Sequence, residues 1–190
     1  MKAAHFDLEY EILREHSKRQ VLRIRDWIGR DRRRFAQLME LFLKGEYRVT
    51  QRSVWSIGHC LDRHPALIEG WMPAMIAKMG EKGVHDAVPR NVLRILEHVD
   101  IPRSVLGNVV SMCFRYLNDP KVPIAIKANA MTVLGNAARK EPGLIYEIEE
   151  SIAHISVLTG AINARARKVL KMLRRVKEHS NEGRARSEQK

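Results

Sequence analysis

The stretch Arg90–Val99, RNVLRILEHV, returns at Arg167–Val176 as RKVLKMLRRV, and this recurrence decides the fold. Arg90, Val92, Leu93 and Val99 reappear as Arg167, Val169, Leu170 and Val176, an offset of 77 positions (167 − 90). The same offset carries HPALI at 64–68 onto EPGLI at 141–145 and Gly58 onto Gly135. Half of it, 38 positions (90 − 52), carries Arg52, Val54 and Ile57 onto Arg90, Val92 and Ile95. A unit of about 38–39 residues with two helical apolar patterns cannot bury its hydrophobic faces alone, so its copies must stack into an all-α solenoid.

Working outward, each unit reads as an A helix followed by a B helix. The spacing predicts pairs over 31–63, 65–99, 102–140 and 142–178, together a repeat domain over 31–178. In the first pair Phe35, Leu38, Met39 and Phe42 form the A stripe, and Val49, Val54, Trp55, Ile57 and Leu61 the B stripe. Pro65, Pro102 and Pro142 are each placed to open an A helix, where a missing N–H costs nothing, and Pro73 is expected to kink the second A helix. Ahead of the repeats, residues 1–30 read as a helical cap. There Leu8 and Ile12 share a stripe, Ser17 and Gln20 have capping-box spacing, and Gly29 closes the second helix. The tail 179–190, HSNEGRARSEQK, has no apolar residue larger than alanine and is expected to be disordered.

The period, the prolines at A-helix starts, the position of Pro73 and the Arg-x-Val/Leu-rich B helices resemble HEAT-like, armadillo-type repeats over roughly residues 31–178. The resemblance implies a right-handed superhelix of about four helix pairs with the B helices on its concave side. It further implies a scaffold that binds a macromolecule along that side.

Composition narrows the class. Hydrophobic residues make up 45% and charged residues 29% of the 190 positions, as in globular proteins, but the formal charge of +12 stands out. Lys+Arg minus Asp+Glu is 12 − 8 over residues 1–50, 6 − 6 over 51–100, 6 − 5 over 101–150 and 10 − 3 over 151–190, so both ends are basic. No signal-peptide core or membrane span is found, and Cys60 and Cys113 lack CxxC spacing, so a cytoplasmic protein with free thiols is expected.

The candidate site is a cationic row. With Arg167 at 0° and about 100° per residue, the last B helix places Arg167, Lys168, Lys171, Arg174 and Arg175 on one face. The equivalent positions in the other B helices hold Arg48, Arg52, His59 and Arg63, then Arg90 and Arg94, then Asn129, Asn136 and Lys140. The binding set is therefore Arg48, Arg52, Arg63, Arg90, Arg94, Asn129, Lys140, Arg167, Lys171 and Arg174. Guanidinium and ammonium groups in register suit carboxylates or phosphates. The expected function is non-catalytic binding of an acidic protein segment.

Non-specific nucleic-acid binding is the first alternative, set against an aromatic content of only 6% and three tryptophans, Trp27, Trp55 and Trp71, that fit apolar stripes. The second is a HEAT-like DNA glycosylase, for which Asp62 and Glu97 are the nearest acids and Trp55 the nearest aromatic, without a motif match. No catalytic residue, cofactor or metal is assigned. His59, Cys60, Asp62 and His64 invite a metal reading, but Cys60 and His64 share a helical face that His59 does not. Met75, Met79 and Met112 read as core fillers.

Overall fold

The computed structural model of the chain describes residues 6–155 and 160–188, and all regular structure among them is helical. Ten α-helices follow in order: α1 Leu8–Arg14, α2 Lys18–Ile28, α3 Arg32–Lys44, α4 Tyr47–Arg63, α5 Met72–Met79, α6 Ala87–Leu96, α7 Arg103–Asn118, α8 Ile124–Ala138, α9 Ile145–Ile155 and α10 Gly160–Glu188. Short 3-10 turns at Pro65–Ile68 and Pro142–Leu144 precede α5 and α9.

Two compact units divide the chain, Met1–Val99 and Asp100–Lys190. In the first unit α1, α3 and α5 contact one another in sequence, as do α2, α4 and α6, which makes two helical layers. In the second unit α7 packs on α9 and α8 on α10 in the same way. The 77-residue offset maps one unit on the other: α4 begins at 47 and α8 at 124 (47 + 77). The first-unit turn at 65 likewise maps on the second-unit turn at 142 (65 + 77). These two helices are the hubs. α4 carries Val49, Val54, Ile57, Cys60 and Leu61 into the core, and α8 carries Ile126, Ala130, Met131, Val133, Leu134 and Ala137.

Helix ends follow local chemistry. Asp7, Ser17 and Asp31 accept first-turn N–H groups of α1, α2 and α3 on their side-chain oxygens, and Gly29 ends α2 at φ 55°. The Ser17 hydroxyl accepts from Gln20 N at 3.2 Å, as the capping pattern requires, but the Gln20 side chain does not turn back. It donates instead to the Glu11 carbonyl and carboxylate inside the α1–α2 contact, where both residues are buried and Arg23 pairs with the same carboxylate at 3.1 Å.

Two expectations about the prolines are corrected. Pro65 and Pro142 open 3-10 turns and not α-helices, and Pro102 is the N-terminal capping residue of α7. Pro73 lies in the first turn of α5, after a break at Gly70 with φ 80°, so it produces no kink: at that position its missing N–H had no helical acceptor. Helical backbone continues through Glu188, across most of the stretch expected to be disordered; its Glu, Arg and Ala residues are good helix formers extending an established helix. In the segment expected as a cap, α1 and α2 both lie against α4.

The apolar stripe of α3 and the three methionines agree with expectation. Phe35, Leu38, Met39 and Phe42 are buried in α3, and Met75, Met79 and Met112 are core residues. Cys60 and Cys113 are buried free thiols; burial pushes Cys60 up to about 12 and Cys113 higher still, so both remain protonated and inert. Among the described residues, no helix is long and apolar enough to cross a membrane.

Helix α10 approaches α8 at Gly135, where Met172 Cε fills the space of a would-be Cβ and Val169 Cγ1 lies 3.1 Å from it. At Gly58 the nearest atom to such a Cβ is Ile95 Cγ1 at 3.8 Å, an ordinary contact. Gly135→Val is therefore expected to destabilise the protein by ~1–3 kcal/mol through overpacking, whereas Gly58→Ala is neutral or stabilises by up to ~1 kcal/mol through helix propensity. Urea unfolding of both variants checks the contrast; equal effects of the same sign would contradict it.

Candidate binding surface

In the first unit the candidate row lies on α4 and α6. On α4, Arg48, Arg52, Trp55, His59 and Asp62 recur at three- and four-residue spacing and share one face. Arg48 and Arg63 are exposed, as are Arg90 and Arg94 on α6. Arg52 is half-buried because it serves the fold: its guanidinium donates to the Leu13 carbonyl at 2.7 Å and the Ile12 carbonyl at 3.4 Å, satisfying the open C-terminal end of α1. Arg63 pairs with Asp26 at 3.2 Å, and Arg94 lies 3.9 Å from Asp62.

The tryptophans depart from expectation. None is in the buried core; each is half-buried, because the indole is too large for these stripes to cover. Trp27 stacks on Phe6 at 4.3 Å between ring centroids and carries Arg34 over its ring at 4.7 Å. Trp55 lies between two imidazoles, with His16 at 5.1 Å and His59 at 6.2 Å. His59 Nδ1 is in turn 3.3 Å from Asp62. This His16–Trp55–His59–Asp62 line was not legible as a unit, since His16 belongs to the segment after α1 and only the fold brings it to α4.

In the second unit Asn129 is half-buried on α8, and Lys140, just past its end, donates to the Ile101 carbonyl at 2.8 Å and to the Asp100 carboxylate. On α10, Ile162, Ala166, Val169 and Leu173 are buried. Opposite them Arg167, Lys168, Lys171, Arg174 and Arg175 are all exposed, and none of the five makes an ion pair among the described residues. They span an arc of about 120° at 100° per residue. Of the cations beside this face, Lys177 is paired with Glu149 at 2.7 Å and Arg165 donates to Thr132 Oγ1 at 2.6 Å.

Cys60 faces the core while His59 and His64 are half-buried and Asp62 exposed, so these four side chains do not converge. No cluster of three or more His, Cys, Asp or Glu suited to a metal ion occurs among the described residues.

A family model described as a HEAT repeat domain matches residues 8–173, and the chain belongs to that family. The match includes α1 and α2. HEAT repeats build α-solenoids, generally mediate protein–protein interaction and are typically non-catalytic scaffolds. Comparison with curated proteins and with solved structures gives no match.

Burial holds the His59 imidazole below its ordinary value against the opposing pull of Asp62, and Arg94, Arg25 and Lys18 add to the depression. His16 is lowered by burial and then by Arg52. A folded-state value below the unfolded value of about 6.5 means that the unfolded chain binds more protons as pH falls. The stabilisation is therefore present above about pH 6.5 and lost as pH falls through the folded-state values. The melting temperature is expected to drop between about pH 7.5 and 5.5, and His16→Gln/His59→Gln to flatten that slope. An unchanged slope in the double variant would show that these imidazoles are not coupled to folding.

Proposed function

We propose that this protein is a non-catalytic scaffold whose B-layer cations hold an acidic segment of a partner protein. The observation that carries the reading is the α10 face, with five exposed cations and no ion pair to any of them among the described residues. Neighbouring cations are absorbed by the protein's own carboxylates and carbonyls, as Lys140 and Lys177 show. The five that are not leave a charge surplus on a rigid element whose opposite side is anchored in the core.

One exposed ion pair contributes about 0.2–1 kcal/mol, so several must act together for useful affinity. Arginines and lysines spaced along about two turns meet that condition for a carboxylate-rich chain. In the first unit, taken by itself, Arg48 is likewise exposed on α4. A phosphate backbone would meet the same charges, but the α10 sequence has no Phe, Tyr or Trp on which bases could stack, which favours the peptide.

Fluorescence anisotropy with a labelled Glu/Asp-rich peptide, and with single- and double-stranded oligonucleotides, tests the reading at roughly 50 and 200 mM salt. Wild type is expected to bind the peptide, and Arg167→Glu/Lys171→Glu/Arg174→Glu, with an unchanged melting temperature, to bind it roughly tenfold or more weakly. Equal peptide affinities would contradict the assignment of the face. Oligonucleotide binding that persists at the higher salt while peptide binding does not would replace the peptide by nucleic acid.

A further inference from the structure

The two units differ at one place where their sequences correspond. Gly58 of α4 and Gly135 of α8 are equivalent in the 77-residue repeat, and so are Ile95 and Met172 (172 − 95 = 77). In the second unit the long, flexible Met172 side chain lies over its glycine and Val169 closes in beside it. In the first unit Ile95 is branched and shorter, and approaches Gly58 no closer than ordinary contact. The space that remains is a pocket of about 310 Å³ walled by Gly58, Leu61, Pro65, Ile95 and Val99, with Asp62 and His98 as its polar groups. Such a volume is at the lower end for ligand pockets and suits one side chain better than a cofactor.

We propose that this pocket receives one apolar side chain, of leucine or methionine size, from an acidic segment of a partner protein. The inference rests on the scaffold reading above and adds to it the sequence character of the partner: acidic residues flanking a single apolar anchor. Two observations select that occupant. The chain's own second unit shows what fills the equivalent hollow, a methionine thioether laid over glycine. The charge around the pocket selects the flanks. Among the described residues that line it Asp62 is the one carboxylate, held between His59 at 3.3 Å and Arg94 at 3.9 Å. Arg94, exposed beside Ile95, shares Asp62 with His59, so a single carboxylate stands against a guanidinium and an imidazole and an anionic chain is favoured over a cationic one. An apolar anchor in a pocket with a charged surround is the arrangement in which a few residues carry most of the binding energy.

The test uses the full chain and two labelled Glu/Asp-rich peptides that differ only in a central Leu or Ser. Wild type is expected to bind the Leu peptide roughly tenfold more tightly at about 200 mM salt, and the Ile95 δ1-methyl NMR signal to move only with that peptide. Gly58→Leu fills the pocket from within, with room for its Cβ, and is expected to equalise the two affinities without lowering the melting temperature. Ile95→Met copies the closed second unit and serves the same purpose should the leucine variant fold poorly. Equal wild-type affinities for the two peptides, both weakened by the α10 charge reversal, would overturn the pocket and leave the cationic reading standing. A preference for Leu retained by folded Gly58→Leu or Ile95→Met would also overturn it. Absence of binding by either peptide would overturn both readings.

Discussion

Everything in this protein hangs on two helices that must be covered on several sides at once. Helix α4 is held by α1, α2, α3 and α6, and α8 by α7, α9 and α10. A residue such as Val54, Ile57 or Leu134 reaches zero exposure only when neighbours from different repeats arrive together, so no single pair is stable by itself. This shared burial sets the surface too. Once one side of α10 is committed to α8 through Ile162, Ala166, Val169 and Leu173, its cations have nowhere to go but outward.

The same constraint explains why glycines recur at equivalent positions and yet do different work. At Gly135 the absence of a Cβ lets Val169 and Met172 close the gap between two hub contacts, and at Gly58 it leaves a hollow. The two units thus share a packing scheme, while the difference between Ile95 and Met172 changes what each presents beside its glycine.

Much of the fold was legible in the sequence because periodicity records burial directly. The stripes of α3, the start of α4 at residue 47 and the 77-residue correspondence all follow from apolar spacing. Boundaries set by backbone detail were less legible. Pro65 and Pro142 predict a helix start equally well whether the turn is α or 3-10, and Gly70, which adopts φ 80° and separates the turn from α5, carries no periodic signal. The site was legible only as a set of charges. Arg52, Arg63 and Lys140 share the register of Arg90 and Arg167, but their partners, the Leu13 carbonyl, Asp26 and Ile101, lie 37 to 39 positions away. Helical register orders side chains along one element and is silent on what a neighbouring element brings opposite them. The α10 face could be read because its character depends on that helix alone.

Hydrogen exchange followed residue by residue in the full chain tests the central claim most directly. If α4 and α8 are the hubs, their buried amides exchange slowest and only through global opening, while the short helices α1 and α5 open first. Exchange from α4 and α8 as fast as from α1 and α5 would show that no hub exists and would contradict this account.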